Sequence, residues 1–471
     1  MTLAGIGPGA GVAGATADVG VEVLETGPGS AQALVPSQIA FSSRSDPTTA
    51  SSAAIRVDDS TLFQPVWGVG AAMTNSSAFL IDGGLTPSQR QALIGQLFGP
   101  SGDRLTVLRI SLGGSDFNAG GIRYSEDDMP PGQSDPQLRH FSLRHDQDTI
   151  RMLRLARAVN PHLRIIASPW TAPAWMKTNG SLDDSTLSGE LKQQDYAVYA
   201  QYVVRFVKGY RDAGVPIFAL TAQNEPVGVP AKYEGMFFPV AHEAQFVRTY
   251  LRPALRRAGL TTAIYGPDEG WDRSTYAKAE ISQAGGLSGL AWHCYAGNPD
   301  DVMPHFGSMT QIMSECAPSL IRSPVGSLLS NVFNDGANAA LLWNIALDPS
   351  GGPVVPPNSG CPGCAGLVTI DPGARATTYG SAFYELAQFG RFLLPGAHRI
   401  AATRLGHFES GGDGASPGIH DVAFRNRDGS DVLVVFNNSS DSFTFSVRWR
   451  GLGLVHAIPG QTIVTLRWPA G

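Results

Sequence analysis

Ile217-Phe218-Ala219-Leu220-Thr221-Ala222-Gln223-Asn224-Glu225-Pro226 is an apolar run that ends in a carboxylic acid beside a carboxamide. A short apolar run bounded by turn residues reads as a buried strand, and a strand that stops at a polar side chain delivers that side chain to the mouth of a parallel barrel. Gln311-Ile312-Met313-Ser314-Glu315-Cys316 repeats the pattern. Glu225 and Glu315 are 90 residues apart (315 − 225). A (β/α)8 barrel of about 250 residues uses about 31 per strand–helix unit, so the two acids are expected three units apart on one C-terminal face. Two facing carboxyls are the minimum apparatus for hydrolysing a glycosidic bond. Taken alone, Asn-Glu-Pro is equally compatible with an acid on a surface loop.

The flanking sequence supplies the rest of a barrel. Apolar segments near 66–72, 105–111, 163–169, 217–223, 262–266, 289–295, 310–315 and 339–345 read as eight buried strands. Amphipathic stretches at 86–98, 148–158, 195–212, 243–258 and 378–392 read as helices, the first opening with Thr86 as cap and Pro87 in the first turn. After about residue 395 the pattern changes to short alternating segments at 398–405, 420–426, 431–437, 442–449 and 462–468, with turns such as Asp428-Gly429. Strand-like segments at 31–41 and 53–57 precede the barrel and have no partner in it. They are expected to join the C-terminal strands. The expected organisation is a leader at 1–20, N-terminal sandwich strands at 21–63, an α/β catalytic TIM barrel at 64–394 and a C-terminal β-sandwich at 395–471, the sandwich being discontinuous in sequence. Bracing the barrel is its expected role, and Trp449 and Trp468 fit either its core or a sugar-binding face.

Composition narrows the partners. The 471 residues carry a net charge of −6 with 16% charged residues, below the usual quarter. No basic run and no stretch of 18 apolar residues occurs, which argues against nucleic acid, anionic membrane and a membrane-spanning helix, and for a neutral substrate. The first 20 residues contain no Lys or Arg and so lack a signal peptide's basic region; they read as a flexible leader left by processing. Gly5-Ile6-Gly7-Pro8-Gly9 has no preceding strand and is interrupted by Pro8, so a dinucleotide site there is not expected. No metal-ligand cluster stands out and no cofactor is expected.

Ser168-Pro169-Trp170-Thr171-Ala172-Pro173-Ala174-Trp175-Met176-Lys177-Thr178-Asn179, with Gly68-Val69-Gly70-Ala71-Ala72-Met73-Thr74 and the Asn-Glu-Pro motif, resembles glycoside hydrolase family 30, which contains glucosylceramidases and β-1,6-glucanases. The resemblance runs from about residue 64 to the C-terminus. It implies Glu225 as general acid/base, Glu315 as nucleophile and Asn224 as hydrogen-bond donor to the sugar 2-hydroxyl. It further implies Asp116 and Trp170 as contacts to the terminal sugar, Trp343 as the platform beneath it, Arg109 as the residue that holds the nucleophile, and Asn358 as a sugar contact. In a retaining hydrolase the carboxyls stand about 5–5.5 Å apart, where two negative charges repel; one carboxyl then keeps the proton for the leaving oxygen while the other attacks. For Arg109 the plainer alternative is a strand-end ion pair, and for the tryptophans a core position.

His293-Cys294-Tyr295 departs from the His-Trp-Tyr of the glucosylceramidase type. Alternate strand residues share a face, so His293 and Tyr295 are expected to point into the site, with Tyr295 in reach of Glu315, and Cys294 to turn away. A satisfied core histidine is the plainer reading of His293. Cys361-Pro362-Gly363-Cys364 reads as a local disulfide, suited to a secreted or periplasmic protein; whether Cys294 and Cys316 pair is left open by the sequence. The reading is a retaining β-glycoside hydrolase of β-linked glucosides, of endo-β-1,6-glucanase type. Exo β-glucosidase, glucosylceramidase-like and β-xylosidase activities are the alternatives within the class. A catalytically inactive carbohydrate-binding protein is the rival outside it.

Overall fold

Eight parallel strands close into a barrel: β1 (Gly68–Ala72), β2 (Val107–Leu112), β3 (Arg164–Pro169), β4 (Ala219–Thr221), β5 (Ala263–Gly270), β6 (Gly289–His293), β7 (Thr310–Glu315) and β8 (Ala339–Leu342), with β8 pairing β1. The computed structural model describes residues 18–28, 34–43, 53–183, 189–228, 232–321, 323–355, 361, 363–408 and 414–470. All eight expected strands are present, each buried because helices cover the outside and side chains fill the inside. Val107, Ile166, Tyr265, Ala291 and Ile312, one from each of five strands, pack together in the barrel interior. Gly70 is required by close approach: a β-carbon there would lie 1.7 Å from the carbonyl oxygen of Val107 on the neighbouring strand.

Local chemistry accounts for the helix boundaries. Thr86 caps the helix Pro87–Phe98 by accepting from the Gln89 backbone while the Gln89 side chain accepts from the Thr86 backbone. The stretch expected as one helix at 243–258 is instead Val240–Phe246, a wider π-helical turn Val247–Leu251, and Arg252–Arg257. Pro253 is the physical reason, since it has no N–H to give and its ring displaces the carbonyl four residues earlier. Helices at Asn75–Gly83, Ser274–Ala284 and Val325–Asn334 were not anticipated; the first and third are rich in Ser, Gly and Asn, which mask the apolar period.

Of the other twelve strands among the described residues, Ala346–Leu347, Val368–Asp371 and Ala376–Tyr379 form a small three-stranded sheet, and nine form one sheet in the order Leu452–Ile458, Phe443–Trp449, Ala53–Val66, Ala397–Ala402, Ile419–Arg425, Ser430–Asn437, Thr462–Pro469, Val19–Thr26, Val35–Phe41. Its two ends meet, with Ser42 and Gly453 exchanging backbone hydrogen bonds of 2.9 and 3.1 Å, so the sheet folds over on itself as a sandwich. N-terminal strands therefore do join the C-terminal ones. Strand Val19–Thr26 begins inside the segment expected as leader, and residues 1–17 of that leader lie outside the described residues. Trp449 and Trp468 are core: both pack on buried Phe41, with ring centroids 5.5 and 5.1 Å away. Val434, Phe436 and Ile463 of the sandwich share one continuous apolar core with the barrel helices, which braces the barrel from behind. Among the described residues no helix is long and apolar enough to cross a membrane.

Candidate active site

The C-terminal ends of β2 through β7 converge on one buried carboxylate that the sequence did not mark. Asp268 of β5 accepts from Ser168 (2.8 Å), Thr221 (2.8 Å) and Ser314 (2.6 Å), pairs with Arg109 at 2.8 Å, and lies 3.2 Å from Nε2 of His293. Those partners sit on β3, β4, β7, β2 and β6 respectively. Asp268 and Arg109 are fully buried, so neither charge is solvated and each depends on the other. Although burial opposes its ionisation, Arg109, His293 and the hydroxyl of Ser314 hold Asp268 well below the usual carboxylate range.

Arg109 distributes its donors over this floor. One terminal nitrogen makes a short contact to Oε2 of Glu315; the other donates to Oδ1 of Asn224 at 2.6 Å and to Asp268. Glu315 is the last residue of β7, and its second oxygen accepts from the Tyr295 hydroxyl at 2.9 Å. Burial pushes the Glu315 carboxyl up from its ordinary range, against the downward pull of His293 and Arg109. The neighbouring acids hold His293 as a cation, pushed up to about 10 despite its burial. A doubly protonated imidazole donates from both nitrogens, to Asp268 and, at 2.9 Å, to Oε1 of Glu225. His293 is fully buried and satisfied at both ring nitrogens, with Glu225 as one of its two partners.

Glu225 stands four residues beyond β4 with φ of 44°, a left-handed conformation that costs a non-glycine residue roughly 1–3 kcal/mol. Its backbone N–H donates to the carbonyl of Asp268 at 3.0 Å, and that of Asn224 donates to Pro169 at 2.8 Å, which holds the acid in this turn. A carboxylate oxygen of Glu225, one of Glu315 and a ring nitrogen of His293 all lie within 4.8 Å of one another.

One wall is aromatic. The indoles of Trp170 and Trp343 stack with centroids 5.3 Å apart and planes 21° apart, with the Arg109 guanidinium 4.7 Å from the Trp170 ring centre. Both tryptophans are only 2% exposed, so they form a packed pair rather than two open shelves. Asp116 is buried beside them with Oδ1 lacking a hydrogen-bond partner, and burial together with the charges of Glu315 and Glu225 raises it well above the usual carboxylate range. An unpaired buried oxygen at a cleft is an open position for a ligand hydroxyl.

The structure brings together Arg109, Asp116, Trp170, Asn224, Glu225, His293, Tyr295, Glu315 and Trp343; Asn358 lies outside the described residues. Sequence reading missed Asp268, Tyr233 and Glu269. Tyr233 packs against the Trp170–Trp343 cluster, where the charges of Asp116, Glu225 and Glu315 act on it. Glu269 accepts from the Val227 backbone at 2.9 Å, beside Glu225. The only available signal was Gly266-Pro267-Asp268-Glu269-Gly270, an acidic pair closing the fifth strand.

Cys294 and Cys316 are joined, as are Cys361 and Cys364. The first bond links the residue after His293 to the residue after Glu315, with Cα atoms 5.2 Å apart. It closes a loop of 22 residues. Replacing both cysteines by Ala is expected to cost about 2–4 kcal/mol, read as a lower urea midpoint with a slope that is equal or steeper because the unfolded chain is freer. An unchanged midpoint would show that the bond constrains neither state.

Comparison with known proteins agrees with this arrangement. The Glycosyl hydrolase family 30 TIM-barrel domain matches residues 66–299, and the Glycosyl hydrolase family 30 beta sandwich domain matches residues 396–466. An endo-1,6-β-D-glucanase of Aspergillus fumigatus is 32% identical over 434 residues, covering 86% of each chain. The lysosomal acid glucosylceramidase of Mus musculus is 27% identical over 450 residues, covering 86% of this chain and 81% of that one. Among solved structures, the endo-β1,6-glucanase BT3312 superposes with a TM-score of 0.81 at 25% identity, over 96% of this chain and 99% of that one. With both halves of the fold matched in order and a relative above 30% identity along most of its length, the chain belongs to glycoside hydrolase family 30.

Proposed function

We propose that this enzyme is a retaining endo-β-1,6-glucanase. The carrying observation is the approach of Glu225 and Glu315 oxygens to within 4.8 Å. Retaining glycosidases hold their carboxyls about 5–5.5 Å apart, whereas inverting enzymes need about 6.5–9.5 Å to admit a water between acid and substrate.

In the first step Glu315 attacks the anomeric carbon while Glu225 protonates the departing glycosidic oxygen, which forms a covalent glycosyl-enzyme. Arg109 and Tyr295 each hold one oxygen of Glu315, which fixes its approach. In the second step Glu225, now a carboxylate, takes a proton from water as that water attacks the same carbon. His293, fixed between Glu225 and Asp268, orients the acid in both steps. Asn224 serves the sugar 2-hydroxyl and Asp116, with its unpaired oxygen, the terminal sugar; Trp170, Trp343 and Asn358 belong to the same set by resemblance.

Linkage preference rests on the relatives. The three endo-1,6-β-D-glucanases are 31–32% identical to this chain, and the glucosylceramidase relatives 26–27%. Cys294, locked to Cys316, also removes the acceptor-side tryptophan of the glucosylceramidase type. Two disulfides among four cysteines support an oxidising, extracellular or periplasmic location.

Two measurements test the proposal. The first product released from a β-1,6-glucan is expected to be the β-anomer by proton NMR; an α-anomer would overturn double displacement. kcat/KM for gentiotriose is expected to exceed that for an aryl β-xyloside by at least about 100-fold, because a site built to hydrogen-bond a hydroxyl strongly rejects analogues that lack it, and to exceed that for glucosylceramide, whose lipid aglycone loses the acceptor-side tryptophan at position 294. Preference for the lipid or the xyloside would overturn the linkage assignment, and binding without turnover would make the chain a carbohydrate-binding protein.

A further inference from the structure

The long connection that follows β2, residues 113–146, begins with the sugar-facing Asp116 and ends at the helix Gln147–Val159. Midway along it Asp127 is fully buried, and neither of its carboxylate oxygens has a hydrogen-bond partner. Its backbone, in contrast, is tied on both sides: the N–H donates to the Ser125 hydroxyl at 3.2 Å, and the carbonyl accepts from the Trp175 indole at 3.0 Å. The side chain is therefore held in place and aimed at something. What it faces is Asp135 and His140, with one donor atom from each of the three residues within 4.8 Å of the others.

We propose that Asp127, Asp135 and His140 bind a divalent ion of the zinc type. Two buried carboxylates side by side are costly unless a positive charge answers them. Arg205 is close enough to act electrostatically on Asp127, but it donates to the carbonyls of Gln137 and Leu138 instead. His140 already leans on the pair, with its backbone N–H 2.8 Å and its Nδ1 2.9 Å from Oδ2 of Asp135. Its side chain is 63% exposed, which places it at the mouth of the site and gives an ion a way in.

The donor set selects the ion. Calcium and magnesium take oxygen ligands almost exclusively, whereas zinc combines carboxylate oxygen with imidazole nitrogen. Tetrahedral zinc bonds of about 2.0–2.1 Å place donors about 3.3–3.4 Å apart, so the triad has to close by about 1 Å, a movement open to the exposed His140. A water completes the fourth position.

The ion's role is to stiffen one wall of the cleft, because its three ligands all lie on the connection that follows β2. Asp127 is also bonded through its carbonyl to Trp175, five residues beyond Trp170 in the connection that follows β3, so the stiffened segment is the one on which that connection is anchored. The ion does not enter the reaction. The competing occupant is a proton on Asp127; burial and the Asp135 charge push the Asp127 carboxyl up to about 6.

The test is titration of the chelator-treated full-length protein with ZnCl2, followed by calorimetry and thermal melting. One equivalent is expected to bind and to raise Tm by several degrees. Binding is expected to be lost in His140→Ala, a surface change that leaves the fold and the ion-free hydrolysis rate intact, and to weaken at least tenfold in Asp135→Asn. CaCl2 at the same concentration is expected to leave Tm unchanged. No stoichiometric uptake at neutral pH overturns the proposal and leaves a proton on Asp127 as occupant. Uptake that is equal in His140→Ala and inhibits hydrolysis also overturns it, by placing the ion on Glu225, His293 and Glu315. Neither result bears on linkage preference or anomeric outcome.

Discussion

Glu315→Gln is expected to lower kcat by about four orders of magnitude or more on every substrate, because under the proposed double displacement removing the nucleophile disables the mechanism as a unit. Glu225→Ala is expected to behave differently. A substrate with a good leaving group needs no proton, so its first step survives and the glycosyl-enzyme accumulates. Azide, which needs no general base, should then restore turnover and yield a β-glycosyl azide. The geometry behind this asymmetry is that Glu315 is gripped at both oxygens, by Arg109 and Tyr295, while Glu225 is held at one by His293. Rescue by azide in Glu315→Gln with inverted product, and none in Glu225→Ala, would exchange the two roles.

Asp268→Asn is expected to have the largest effect on stability of any single change at the site. It leaves Arg109 and His293 buried without their shared counter-charge, and breaking a buried pair from one side costs about 3–5 kcal/mol. A fall in kcat of about 100-fold should accompany it, since Arg109 and His293 position both glutamates. The pH dependence of stability checks the cause. Asp268 is depressed in the folded state, so its contribution is present above its unfolded pKa of about 4 and is lost as pH falls. His293 is raised to about 10, so its contribution is complete below its unfolded pKa of about 6.5 and is lost as pH rises towards 10. The network should therefore contribute most between about pH 4 and 6.5. In Asp268→Asn the alkaline loss should shrink, because His293 no longer has that partner. An alkaline slope equal to the wild type's would mean that Asp268 does not hold the His293 charge.

Much of the architecture was legible because it is written in local patterns. Apolar runs of strand length ending in Asn224-Glu225 and Ser314-Glu315, spaced by helical periods, are sufficient for a barrel that presents both acids on one face. Capping at Thr86 placed one helix to within a residue, and Pro253 opened another where the apolar period ran on unbroken. The helices Asn75–Gly83 and Val325–Asn334 were hidden because their buried faces include serines; in the first, Ser76 and Ser77 donate to the carbonyls of Pro353 and Ala346, and in the second Ser330 donates back to the Gly326 carbonyl of its own helix.

By itself the sequence determined the barrel and the strand-end placement of Glu225 and Glu315, which follow from periodicity, and the joining of N- and C-terminal strands, which follows from strands left without a partner in the barrel. Only the tertiary structure decided how those residues are charged and held. Asp268 meets Arg109 across 159 positions and His293 across 25, Cys294 meets Cys316, and Asp127 stands beside Asp135 and His140 without a donor. A carboxylate's protonation and reach depend on what is buried against it, and barrel closure, which sets those neighbours, brings together strands that no local pattern connects.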